Sequence, residues 1–170
     1  DNSNGWYKIK LSNGQVGWAS SQYISTSVNS NSESINNGNL SNESTNINKA
    51  QAIVNTARAQ LGKKYVWGAE GPNSFDCSGL ICYVYGQNRI KMPRSSREQA
   101  NVGTTISQSQ LQPGDLIFSS TDGSGNVTHV GIYIGNGQMI HAPQEGDVVK
   151  VTNANSSYWQ KTFVKAKRVL

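Results

Sequence analysis

Three side chains have the types and the order that thiol chemistry needs. Cys77 stands in Phe75-Asp76-Cys77-Ser78-Gly79-Leu80, at the mouth of a predicted helix that runs on through SGLICYVYGQN. There the unpaired backbone N–H groups and the helix dipole favour thiolate over thiol, and Asp76 is of the type that caps a helix. The other cysteine, Cys82, lies five residues on. Helix geometry then gives a Cα separation of roughly 8–9 Å and diverging side chains, too far for a disulfide. Cys77 is therefore expected as a free thiol, with Cys82 facing the core beside Leu80 or Val84.

The chain's two histidines follow on neighbouring predicted strands. Between Val127 and Ile134, alternation puts His129 on the face opposite Val130, Ile132 and Ile134. Gly135-Asn136-Gly137 reads as a hairpin turn, and Gln138 to Ala142 as the return strand. A three-residue turn sets His141 opposite Gly131, diagonal to His129 on the same face; one residue more or fewer separates the faces. The chemistry wants an imidazole beside the sulfur and a third polar group to fix the ring's tautomer. Cysteine, histidine, polar orienter is also the chain order of papain-like thiol peptidases. From spacing alone, a buried free cysteine with two half-exposed strand histidines fits a structural role as well. Two histidines without a carboxylate cluster do not make a zinc site, so no metal or cofactor is expected.

The elements that must position these groups can be read from periodicity. In KAQAIVNTARAQL, residues 49–61, a helical stripe joins Ala50, Ile53, Val54, Ala57 and Leu61, and Gly62 follows as a stop. After a Gly/Pro/Asn loop at 68–74 and the Cys77 helix, strands are predicted at 115–119, 127–134, 138–142, 147–151 and 162–169. Helices first and an antiparallel meander after make the class α+β. Pro113-Gly114-Asp115 reads as a turn before a strand. Arg94 and Arg97 fit either a cleft or a solvated face. Trp67 is expected in a wall or the core rather than at a ligand, and Trp159 in packing.

Upstream, the composition changes. Residues 5–24 alternate Trp6, Lys8 and Lys10 with Tyr7, Ile9 and Leu11, turn at Asn13-Gly14, and return through Val16-Gly17-Trp18, a hairpin pattern. Its wording resembles the last strands of a bacterial SH3-like domain, which implies that residues 1–26 are part of a module holding a catalytic partner on the wall. A structural hairpin capping the next domain is the other reading. Residues 27–48 form a Ser/Asn-rich linker with too little apolar surface to offset its ordering entropy. The net charge of +5 sits downstream: 1–48 hold two bases against three acids, 49–170 thirteen against seven. A basic half suits an anionic polymer, or serves solubility alone. No run of bases interleaved with aromatics suggests a nucleic-acid face, and no apolar stretch approaches the ~20 residues of a spanning helix. The chain opens without Met or signal peptide and is expected to be a fragment, so secretion stays open.

Six ordered motifs then resemble one family. They are Tyr65-Val66-Trp67-Gly68; the Cys77 block; Met92-Pro93-Arg94-Ser95-Ser96 with Gln99; Leu111 to Leu116; His129 to Gly135; and Met139-Ile140-His141-Ala142. Across residues 49–170 they are similar to the NlpC/P60 cell-wall endopeptidases, departing where Ala69 replaces a usual Gly. The resemblance implies a papain-like α+β core, helices packed on an antiparallel sheet, with Cys77, His129 and His141 as the triad. It implies hydrolysis of the bond between D-γ-glutamyl and the diamino acid, diaminopimelate or lysine, of peptidoglycan stem peptides, by a secreted, wall-associated, monomeric enzyme. Tyr65 matches a tyrosine bordering the nucleophile, whose hydroxyl helps hold the oxyanion. Asp76 and Ser78 match positions that receive the free amine of the stem in some members, and Arg94 is a further candidate for the substrate cleft. The rivals are an amidase or acyltransferase using the same triad, and a wall-binding module without activity.

Overall fold

Residues 2–3, 6–10, 16–20 and 37–170 are described by the computed structural model, with side chains from residue 45 onward. The chain divides into two units, Asp1–Asn36 and Asn37–Leu170. In the first, β1 (Asn2–Ser3), β2 (Trp6–Lys10) and β3 (Val16–Ser20) form an antiparallel sheet in that order. Lys8 pairs with Trp18 and Lys10 with Val16, the hairpin that the alternation predicts. The expected turn at Asn13-Gly14 and residues 27–36 of the expected linker lie outside the described residues.

The second unit opens with α1 (Asn37–Arg58). Residues 37–48, expected as linker, are helical here, and the stripe predicted from Lys49 is only the packed half of the helix. Ile53, Val54 and Ala57 are buried, whereas residues 45–49 are exposed. Nucleation is the costly step of helix formation, so once burial fixes the apolar turns, polar turns ahead of them add at little cost. The helix also stops short of Leu61, which is 40% exposed rather than part of the stripe. Gly62 turns the chain away at φ +81°.

Then come β4 (Lys64–Tyr65) and β5 (Ser74–Phe75), a short parallel pair, followed by α2 (Cys77–Gln87) and α3 (Ser96–Gln99). The remaining elements are β6 (Thr104–Ile106), β7 (Leu116–Ser119), β8 (His129–Gly135), β9 (Gln138–His141), β10 (Lys150–Asn153), α4 (Ser157–Thr162) and β11 (Phe163–Arg168). The main sheet has the order β10-β9-β8-β7-β11-β6, every pair antiparallel. The expected meander is β7 to β10. After it the chain crosses by α4, and β11 joins the sheet on the far side of β7. The Pro113-Gly114-Asp115 turn is present, and Asp115 holds Arg168 of β11 through bonds of 2.9 and 2.8 Å. Among the described residues no helix is long and apolar enough to cross a membrane.

Alternation along the strands gives the sheet two differently covered faces. Leu116, Phe118, Val130, Ile132 and Ile140 join Ile53, Leu80, Ile81 and Val84 of the helices in the main core. Ile117 and Met139 face the other way, into a smaller cluster that recruits Tyr133, Trp159 and Phe163. His129 and His141 belong to this second face.

The β8–β9 hairpin reaches the expected register by a different route. Ile132 pairs with Ile140, which sets His141 across from Gly131, but at the tip Gly135 pairs with Gln138. The turn is therefore the two residues Asn136 and Gly137, with positive φ of 52° and 69°, the pattern of a tight hairpin. A bulge between Tyr133 and Gly135 restores the offset that a two-residue turn would have lost. Gly131 itself leaves the space between the strands: a Cβ there would lie 2.9 Å from Met139 Sδ and 3.4 Å from the His141 Cβ.

Candidate active site

Asp76 explains why α2 begins where it does. Its carboxylate accepts the Gly79 N–H at 2.6 Å, the N-cap bond, and the Gly68 N–H at 2.9 Å. Arg94 clamps both oxygens, at 3.0 and 2.6 Å, and also donates to Ser78 Oγ at 2.9 Å and pairs with Glu70. Burial alone would raise the Asp76 carboxyl, but hydrogen bonds from Arg94, Gly79 and Gly68 outweigh it and hold the group below the usual carboxylate range. Gln99, fully buried, ties Ser78 and Pro93 together through their carbonyls, at 3.0 and 2.8 Å. The structure thus brings Asp76, Ser78 and Arg94 into one network, whose acid is already saturated.

Cys77 opens α2 as a half-buried free thiol. The backbone amides of Val130, Ser78 and Cys77 lie near enough to its Sγ to pull the thiol downward. The Val130 amide adjoins His129, so the sulfur of the helix meets the start of β8. Cys82 is also free, packed at the edge of the core with its thiol against the Pro93 carbonyl at 3.2 Å. Tyr65 stands close enough for the charges of Cys77 and Asp76 to act on it. Burial first, and those charges after it, push its phenol up to about 12, so it keeps a proton to donate. Its backbone N–H bonds Asp147, which fixes β4 beside the segment leading into β10.

His129 Nε2 lies 2.9 Å from His141 Nδ1, with the rings perpendicular. The contact predicted from strand alternation is formed. Both rings are almost fully buried, at 5% and 1% exposure. Burial, and then His141, pushes His129 below the usual imidazole range; burial, and then Lys150, does the same to His141. Trp159 of α4 touches both rings, its centroid 5.4 Å from His129 at 31° and 5.1 Å from His141 at 90°. It was expected only as packing.

The thiolate expected at the mouth of the helix is opposed by the surroundings of the sulfur. Burial, and next the negative charge of Asp76, raises the Cys77 thiol, and the helix amides do not compensate. The raised thiol and the lowered imidazole of His129 both lean toward their neutral forms, because proton transfer would create two desolvated charges. Inactivation by iodoacetamide should therefore still be accelerating above pH 9, the thiol's ordinary value. A rate already level by pH 7 would show a preformed ion pair.

On one side of Cys77 opens a cleft of about 530 Å³, lined by Trp67, Asp76, Ser78, Arg94, Arg97 and Thr128 among others. Trp67 is 78% exposed and forms its wall, not core. Two positions escaped the sequence reading. Gly79 lets the Ala69 carbonyl approach to within 2.1 Å of where a Cβ would stand, and Glu70 partners Arg94. Neither has a local pattern, since both depend on loop 66–70 folding back onto α2.

Residues 62–168 match the model of the NlpC/P60 family. The chain belongs to that family. NlpC/P60 relatives of known sequence include murein DD-endopeptidase MepH of Escherichia coli K12, 39% identical over 129 residues, covering 73% of this chain and 48% of MepH. A gamma-DL-glutamyl hydrolase of Bacillus subtilis 168 is 42% identical over 123 residues, covering 71% of this chain and 30% of the hydrolase. The crystal structure of an NlpC/P60 family protein from Bacillus cereus ATCC 10987 superposes with TM-score 0.68 at 30% identity, covering all of this chain and 52% of that one. The chain thus spans about half the length of MepH or less of its relatives. The α+β NlpC/P60 fold expected from the six motifs is the fold found.

Proposed function

We propose that this NlpC/P60 chain is a secreted, wall-associated cysteine endopeptidase that cuts peptidoglycan stem peptides between D-γ-glutamyl and the diamino acid. The observation that carries the reading is the junction of Cys77 with the start of β8, where His129 is backed by His141 at 2.9 Å. His129 takes the thiol proton as Cys77 Sγ attacks the γ-glutamyl carbonyl, so charge develops only with substrate in place. The N–H of Cys77 and the Tyr65 hydroxyl face the developing oxyanion, a donor of this kind contributing on the order of 3–4 kcal/mol. His129 then gives its proton to the departing amine, and afterwards activates the water that releases the acyl-enzyme. His141 holds the ring of His129.

The Asp76–Ser78–Arg94 network forms the floor of the cleft that receives the stem on the acyl side. A stem ammonium is favoured by the charge of this cluster, Glu70 and Asp76 against the single Arg94 cation, rather than by a free acceptor on Asp76. The upstream β-sheet is read as the SH3-like segment that keeps the enzyme on the wall.

Names among the relatives point to different bonds, DD in MepH and gamma-DL in the Bacillus hydrolase, so the test must resolve the bond. Purified sacculi are digested and the products weighed by mass spectrometry. New N-terminal diaminopimelate or lysine is the expected product, and Cys77→Ala should yield none. Cleavage between two D-alanine-linked stems, or release of whole stems from muramic acid, would replace this reading.

A further inference from the structure

One polar atom of the histidine pair is unaccounted for. His141 Nε2 is buried and has no hydrogen-bond partner among the described residues. To take a proton from Cys77, His129 needs a bare ring nitrogen, and its Nε2 is engaged with His141 Nδ1, so the bare nitrogen is Nδ1. The proton of neutral His129 then sits on Nε2 and is donated to His141 Nδ1. The proton of neutral His141 is left on Nε2, the atom without an acceptor. The opposite arrangement, His141 Nδ1–H donating to His129 Nε2, satisfies the pair equally well. It leaves a proton on His129 Nδ1 and no base. A buried donor without an acceptor biases the pair toward that inactive arrangement.

Trp159 is in position to reverse the bias. Its ring stands perpendicular to His141 at 5.1 Å, the arrangement in which the edge of one ring meets the π face of another. It is tilted by 31° to His129 at 5.4 Å, within reach of the attraction between an indole face and a cation. It comes from α4, an element with no other part in the site, and is half-buried against Met139 and Ile117. We propose that Trp159 is a positioning residue whose indole face accepts the His141 Nε2–H, fixing the tautomer that makes His129 Nδ1 the base, and whose stacking on His129 stabilises the imidazolium formed during turnover. The proposal rests on the Cys77–His129 reading above. Among the described residues, the other ionisable groups whose charges act on the pair are Lys150 of β10 and Asp147, which is paired with Lys150.

The test combines nitrogen-15 NMR of the histidine rings with kinetics on stem peptides, for the whole chain and for Trp159→Phe and Trp159→Leu. In the unaltered chain both rings should carry their proton on Nε2. Trp159→Phe, which keeps a π face, should preserve that state and most of the rate. Trp159→Leu should show protonated Nδ1 on His129 and a kcat lower by roughly ten- to a hundredfold, with KM within about twofold. Its acid limb should move to lower pH, because the His129 imidazolium loses the indole face that stabilises it. Protonated Nδ1 on His141 in the unaltered chain overturns the proposal without any variant, as does a Trp159→Leu chain with unchanged tautomers, kcat and acid limb. If the unaltered chain cuts no stem peptide, only the substrate reading falls, and the NMR measurement still decides the role of Trp159.

Discussion

Replacing His129 with alanine should lower kcat on stem peptides by about ten-thousand-fold or more, with little change in KM or in the folded fraction. In the proposed mechanism His129 both removes the thiol proton and protonates the leaving amine, tasks given to no other described residue. Because burial and Asp76 push the Cys77 thiol up, losing the base should also leave Cys77 as a thiol at the pH of assay. His141 behaves differently. A neutral imidazole exerts no Coulomb attraction on His129, so its role reduces to offering an acceptor at Nδ1. His141→Asn offers an amide oxygen in its place and should cost roughly tenfold in kcat, whereas His141→Leu leaves the His129 Nε2–H buried without a partner and should cost a hundredfold or more, on the order of the 1–3 kcal/mol of an unmet buried donor and the loss of tautomer control. Steady-state kinetics of the three variants decide the matter. An Asn variant as inactive as His129→Ala would remove His141 from the role of orienter.

The second large effect is expected at Gly79, which is not among the residues lining the cleft. Helix propensity favours alanine over glycine by about 1 kcal/mol in a helix interior, so propensity alone would make Gly79→Ala stabilising. The local geometry overrules it. The new Cβ would stand 2.1 Å from the Ala69 carbonyl oxygen and 3.0 Å from its carbon, backbone atoms that cannot swing aside. Relief requires loop 66–69 to back away from α2, which takes the Gly68 N–H off Asp76 and moves the chain next to Tyr65. A loss of about 3 kcal/mol, at the upper end of overpacking costs, should appear in urea unfolding, with turnover falling further than stability explains. A Gly79→Ala chain with an unchanged urea midpoint and full turnover would show that the loop gives way freely.

Cys77 at a capped helix start, and two histidines sharing one face of a hairpin, were legible because both follow from local counting: 3.6 residues per turn in one case, 2 in the other. The cap at Asp76 was legible for the same reason. What was not legible depends on contacts distant in sequence. The thiol's charge state is set by how deeply α2 and β8 bury it, and no helix-start argument contains that depth. Trp159 sits in NANSSYWQKT, a polar stretch whose only signal is an aromatic pair, and its contact with the histidines exists because β11 returns to the far side of β7. The polar turns of α1 have no apolar period, so residues 37–48 read as linker although the packed half of the helix carries them. Elements such as β4, β5 and α3, two to four residues long, are too short to show any period.

The bulge ahead of Gly135 has a consequence for how the enzyme can vary over generations. His129 and His141 meet because the number of residues between them returns the chain to the same side of the sheet. Substitutions in the turn leave that count untouched, so its composition can drift wherever the positive backbone angles are respected. Its length cannot drift in single steps. Gaining or losing one residue would aim His141 into the main core while leaving both strands paired, an enzyme disarmed without being unfolded. Changes of two restore the encounter. Viable descendants of this hairpin should differ in length by even numbers, or carry a second bulge that repairs an odd one.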